Sequence, residues 1–233
     1  DGGFRIHVDH SICTRCGECV EICPSNALCF DGRVVDSSDV LMEIMRDEDF
    51  YLTSGGGITL TGGDPLDQPE FSMEILKRCG DLGIHRTIET ALFTSRNVIK
   101  SIVPLVDFFI VDLKIFDDGE HQKYTGVRNA VIFENFRLLV SLIRDTSLPL
   151  VRIPLIPHVT ATESNIKAIA QFVASVNPEI RIELLNYNPL ARSKYRTLGK
   201  EFLIPDDTKP FSFETMDSFK AMLRESGIVP FGE

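Results

Sequence analysis

"SGGGITLTGGDPLDQPEF", residues 54–71, holds the transition that decides the fold. Three glycines lead into the short run GITL, and Gly62, Gly63, Asp64 and Pro65 lead out of it toward a segment whose apolar residues recur at helical spacing. A strand, a polar turn and a helix in that order form the repeating unit of a parallel sheet, because parallel neighbours must be joined by a long crossover. The unit recurs downstream. "HRTIET", "DFFIVDLK", "LVRIPLI" and "IRIELLNY" read as strands, with "PEFSMEILKRCG", "SRNVIKSIV", "AVIFENFRLLVSLI" and "NIKAIAQFVASV" as the helices between them. Single-run strands of this kind predict parallel strands buried on both faces, in a doubly wound sheet or a (β/α) barrel.

The strand ends indicate where the chemistry sits. In order they carry Gly62, Gly63 and Asp64; Glu89 and Thr90; Asp112 and Lys114; Arg152; and Asn186 and Asn188. One polar strand end is ordinary turn chemistry. A succession of them that includes acids and a lysine points to a site, since barrel strand ends converge on one mouth. The glycine-rich turn at Gly62 and Gly63 lacks the GK[ST] of a P-loop and the GxGxxG of a dinucleotide site. Backbone carbonyls beside an acid suit a ligand ammonium instead.

Upstream, "CTRCGECVEICP" spans residues 13–24 and sets Cys13, Cys16, Cys19 and Cys23 at C-x2-C-x2-C-x3-C, followed by proline. That spacing is the one that wraps a 4Fe-4S cluster in bacterial ferredoxins, whereas zinc knuckles pair two C-x2-C units across a longer gap. In two-cluster ferredoxins the fourth cysteine ligates the other cluster, so Cys23 either closes a single cluster or has partners elsewhere. Flanking segments 4–9 and 27–35 read as strands around a turn at Asp31 and Gly32. A ferredoxin-like iron-sulfur domain over 1–35 and a (β/α) portion over 36–233 are therefore expected, with a helix beginning in "DSSDVLMEIM". Cys29 and Cys79 read as packing residues.

Composition sets the outer bounds. Hydrophobic residues make up 43% of the 233 and charged residues 25%, as in ordinary globular proteins. A net charge of −10 argues against nucleic acid as a partner. The longest apolar run is broken by Asp107 and is too short for a membrane span. Closely spaced cysteines with no signal peptide before them suit metal binding in a reducing cytoplasm rather than disulfides.

Taken in order, "FYLTSGGGITLTGGDPLDQPEF", "IET", "FIVDLK", "HQKYTGVRN", "VRIPLIPH" and "ELLNYNPLARSKYRTLG" resemble the glycyl radical enzyme activating enzymes of the radical S-adenosylmethionine (SAM) superfamily, over nearly the whole chain. The resemblance implies an α/β fold with a partial parallel (β/α) barrel of the radical SAM type. It implies an oxidoreductase that uses a 4Fe-4S cluster to cleave SAM reductively and then abstracts hydrogen from a glycine of a partner enzyme, with electrons from a donor such as flavodoxin or ferredoxin. It further implies that the turn at Gly62, Gly63 and Asp64 binds the amino group of SAM, that Asp112 and Lys114 lie near its carboxylate, and that Glu89 and Thr90 lie beside them at a cation-binding position.

Two residues depart from the family pattern: Asp64 stands where glutamate is usual, and Asn188 where a histidine often lies near SAM. No side chain is singled out as catalytic. The CxxxCxxC loop that holds the SAM cluster in this superfamily is not found in the 233 residues, so they are expected to resemble a family member without its N-terminal segment and to be inactive alone. An iron-sulfur electron-transfer protein with a degenerate SAM barrel is the alternative. His121 and Lys123 read as solvated surface, and the basic loop with Arg192, Lys194 and Arg196 as a surface that steers a partner.

Overall fold

The structure is a computed structural model and describes residues 6, 8–30, 32–143, 148–197, 200–202, 204–205 and 207–232. It divides into two compact units, one of residues 1–35 with 188–209 and one of 36–187 with 210–233. Segment 188–209, assigned from sequence to the barrel portion, thus groups with the cysteine-rich residues.

In the first unit, helix α1 (Glu18–Glu21) lies inside the cysteine run and α9 (Ala191–Thr197) lies in the later segment. Gly17 precedes α1 at φ +86°, a backbone conformation that favours glycine. Among the described residues of 4–9 and 27–35 no strand forms, contrary to expectation. Phe30 and Val34 are exposed, so alternation there has no core to pack against. The expected turn at Asp31 and Gly32 includes a residue outside those described.

The second unit runs α2 (Ser37–Ile44), α3 (Glu48–Ser54), β1 (Gly57–Leu60), α4 (Pro69–Asp81), β2 (His85–Thr90), α5 (Arg96–Ile102), β3 (Phe108–Asp112), α6 (Asp118–Thr125), α7 (Ala130–Leu142), β4 (Leu150–Pro154), α8 (Glu163–Val176), β5 (Ile182–Leu185) and α10 (Phe213–Glu225). Asp36, Ser95, Asp117, Thr162 and Ser212 each accept an amide at the start of a helix, so the capping chemistry marks where α2, α5, α6, α8 and α10 begin.

All neighbouring strands are parallel, and the order β1-β2-β3-β4-β5 follows the chain. A doubly wound sheet reverses its order at a switch point, so this progression is that of a partial barrel. β1 pairs only with β2 among the described residues. At the other edge Pro230 bridges Ile182, and the Phe231 amide donates to its carbonyl.

Register separates the two faces. Ile88, Phe109, Val111, Val151, Ile153 and Ile182 lie on one side, fully or nearly fully buried against Leu76, Ile99, Phe136, Leu139, Ile166, Ile169 and Leu223 of the helices. Each such side chain contributes roughly 1.5–3 kcal/mol of burial. The other side carries Thr59, Thr87, Glu89, Ile110, Asp112, Arg152 and Glu183. Burial on both faces was expected; on this second side it is met at Thr87, Ile110 and Leu150, whereas the charged Glu89, Asp112, Arg152 and Glu183 stay partly exposed. No helix among the described residues is long and apolar enough to cross a membrane.

Candidate functional site

Polar groups gather at the C-terminal ends of β1 to β5. After β1, Gly62 adopts φ +120°, a conformation that favours glycine. Gly62 and Gly63 are exposed, and a Cβ on either would meet nothing within 4 Å. Asp64 then turns the chain back. Its carboxylate accepts from the Leu66 amide at 2.9 Å, the Ala91 amide at 2.8 Å and Thr90 Oγ1 at 2.8 Å, so it ties the turn after β1 to the end of β2. Both carboxylate oxygens are thereby engaged within the protein.

Glu89, like Asp112 and Glu183, faces the polar side. Its Oε2 accepts from Thr61 Oγ1 at 3.4 Å, and its Oε1 lies 3.0 Å from Arg152 Nη1. Arg152 also donates through Nε to Glu183 at 2.5 Å, so one guanidinium spans carboxylates of β2 and β5. Burial works against its charge, but the bond to Glu183 and the charges of Glu183 and Glu89 outweigh it and hold the guanidinium pKa above its ordinary value. Beside them Lys114 Nζ donates to Asp112 Oδ2 at 3.2 Å. Burial pushes the Asp112 carboxyl up, with Glu89 adding to the effect and Lys114 and Arg152 opposing it. The side thus offers an anion, Glu89, and a cation, Lys114, each oriented by a neighbour and each partly exposed. That pairing suits the two charged groups of an amino acid zwitterion.

The structure brings Gly62, Gly63, Asp64, Glu89, Thr90, Asp112 and Lys114 to adjoining strand ends of one unit. Asn188 belongs to the first unit, where its Oδ1 accepts from the Leu190 amide at 3.0 Å. Asn186 is a brace, exchanging two hydrogen bonds with the Phe211 backbone. Arg152, noted from sequence only as a strand-end residue, and Glu183, missed altogether, complete the charged face. Opposite charges on neighbouring strands were the available signal, but the register that sets Arg152 opposite Glu183 is legible only in the fold.

Four thiols stand in the cysteine run, with Cys13, Cys16 and Cys19 exposed and Cys23 partly so. The Glu18 amide, then the Thr14 hydroxyl, lower the Cys16 pKa, and the Leu28 amide lowers that of Cys23. Amide donors aimed at sulfur are what cluster thiolates need, so the donor set fits a 4Fe-4S group in its chemistry. Among the described residues no three His, Cys, Asp or Glu side chains stand grouped to hold a metal ion. Cys79 is buried as expected, whereas Cys29 is exposed. His121 is also buried, contrary to expectation, its Nδ1 within 2.7 Å of the Val127 carbonyl. Arg192 lies over the Phe202 ring and donates to the Ile204 carbonyl.

Comparison with known proteins bears on both units. Residues 5–28 match the model of a 4Fe-4S binding domain. The isethionate sulfite-lyase activating enzyme of Oleidesulfovibrio alaskensis is 37% identical over 84% of this chain and 63% of its own length. The choline trimethylamine-lyase activating enzyme of the same organism is 34% identical over 86% of this chain and 75% of its own. Among solved structures, a domain of pyruvate-formate lyase-activating enzyme from Bacteroides vulgatus superposes with a TM-score of 0.61 at 33% identity, covering 75% of this chain and 97% of that domain. The chain therefore spans between about three fifths and three quarters of the length of these two curated relatives.

Proposed function

Because the chain belongs to the family of glycyl radical enzyme activating enzymes, we propose that it binds SAM at the ends of its parallel strands and serves the activation of a partner glycyl radical enzyme. The observation that carries this reading is the oriented anion and cation, Glu89 and Lys114, on the polar face. Glu89 and the turn at Gly62, Gly63 and Asp64 take the amino group of SAM, and Lys114 takes its carboxylate. Asp112 holds the Lys114 ammonium in place, and Thr90, bonded to Asp64, keeps the first two strand ends together. Cys13, Cys16 and Cys19, with Cys23 as the fourth thiolate of the run, hold a 4Fe-4S cluster.

A reduced 4Fe-4S cluster, held in this family by a CxxxCxxC loop rather than by the run at residues 13–23, would supply the single electron for the reductive cleavage of SAM that leads to hydrogen abstraction from the partner glycine. The protein's own part is to bind and orient the substrate. Flavodoxin or ferredoxin is the class of donor that fits, in the cytoplasm, with neither nucleic acid nor membrane as partner. The relatives, named as activating enzymes, support this reading over the electron-transfer alternative.

The test is electron paramagnetic resonance of a candidate glycyl radical enzyme after anaerobic incubation with the product of the native gene, SAM and a reductant. A glycyl doublet is expected with at least one of the sulfite-lyase, trimethylamine-lyase or decarboxylase types. SAM cleavage that leaves every one of them radical-free would refute the activase assignment.

A further inference from the structure

Lys114 owes its place to more than Asp112. Asn165, on α8, is buried and spends its whole amide on two loops. Its Nδ2 donates to the Lys114 carbonyl at 3.0 Å and to the Thr160 carbonyl at 2.9 Å, while its Oδ1 accepts from the Phe116 amide at 2.8 Å. The chain leaving β3 and the chain leaving β4 are therefore pinned to one side chain.

Asn129 supports the same turn from another direction, donating to the Ile115 and Phe116 carbonyls at 3.0 and 2.9 Å. Thr160 is fixed in turn, its hydroxyl donating to the Pro154 carbonyl and accepting from the Ile156 amide. An isolated surface lysine has its ammonium spread over many rotamers. Here the backbone beneath it is fixed at its carbonyl and two residues further on, so the ammonium samples a smaller volume beside Asp112.

We propose that Asn165 is a positioning residue for SAM binding, acting through Lys114 to hold its ammonium where the ligand carboxylate must lie. The inference rests on the reading of Lys114 given above. It differs from a general packing role, and another buried asparagine provides the contrast. Asn135, on α7, donates to the Leu92 and Thr94 carbonyls at 3.0 and 2.7 Å and leaves its own Oδ1 without a partner. It secures the loop after β2, where Leu92 takes a left-handed conformation at φ +58°, through bonds to Leu92 and Thr94.

The experiment is a double-mutant cycle on SAM affinity, read by titration calorimetry. Asn165→Asp retains the acceptor for the Phe116 amide and loses the donations to the Lys114 and Thr160 carbonyls, and Asn165→Ser serves as the second variant should the first not fold. In the wild-type background the substitution is expected to weaken SAM binding by about five- to tenfold, and in a Lys114→Ala background by less than about twofold. Asn135→Ala, combined with Lys114→Ala, should give additive losses. Equal losses from Asn165→Asp with and without Lys114 would overturn the proposal and leave Asn165 as a packing residue. Unchanged SAM binding in Lys114→Ala alone would overturn the assignment of Lys114 first, and with it the inference.

Discussion

Asp112 shows how a single residue can be placed for binding at some expense to the fold. Burial raises its pKa, so the carboxylate form is disfavoured in the folded chain; the penalty is absent below the ordinary value of 3.8 and complete once the pH exceeds the raised one. Asp112→Asn should therefore unfold at an equal or higher temperature than wild type at pH 7 while losing about tenfold in SAM affinity, a split that thermal denaturation and calorimetry would reveal. A drop in both would mean that the Lys114 pair is worth more than its desolvation.

Asp107 is the opposite case. It accepts from Arg86 Nε at 2.9 Å, from Nη2 at 2.8 Å and from the Arg86 amide, and these bonds hold its pKa below the ordinary 3.8. Its stabilisation is present above that value and fades as the pH falls through the lowered one. Asp107→Asn should cost about 1–2 kcal/mol at pH 7, a figure reduced for partial exposure, and the gap to wild type in urea melts should narrow toward pH 3. At this scale the sequence placed Glu89, Asp112 and Lys114 at strand ends, because charges ending apolar runs stand out. It did not reveal that Asp64 spends its carboxylate on Thr90 and Ala91, since such contacts depend on where two loops meet.

Among the elements, legibility followed amphipathicity. α4 buries Ser72, Ile75, Leu76 and Cys79, and α8 buries Ile166, Ile169, Ala170 and Val173, so their apolar spacing announced them. α6 buries only His121, and a helix polar on nearly every side gives no such signal. α10 was readable but unread: Ser212 caps it, and Met216, Phe219 and Leu223 recur at helical spacing. The strands were recognised through β-branched and apolar runs, but their true ends lie inside the expected ones because pairing stops at Leu60 and Leu185. Gly57 is where an element depends on one missing atom. A Cβ there would fall 1.9 Å from the His85 carbonyl oxygen, inside the β1–β2 ladder. Gly57→Ala should cost about 2 kcal/mol or more, and hydrogen exchange should show the loss concentrated in β1 and β2. A loss spread evenly over β3 to β5 would argue against this local clash.

At the scale of the molecule, a half-open parallel sheet puts its helices on one side and its charges on the other, and a cysteine-rich unit accompanies it. The parallel sheet was legible because five strand and helix units followed one another, and the family resemblance implied the partial barrel. The grouping of 188–209 with the cysteines was not, since nothing local in that segment records it. For the cysteine run, anaerobic reconstitution should load a 4Fe-4S cluster that Cys16→Ala abolishes, as read by iron analysis and visible absorbance; zinc in place of iron would contradict the reading. The central claim is that the strand ends recognise SAM through opposite charges. Titration of SAM into the wild-type protein and into Lys114→Ala and Glu89→Gln tests it most directly. The wild type should bind at one site per chain, and each variant should be weaker by about tenfold or more. Affinities unchanged by both substitutions would contradict it.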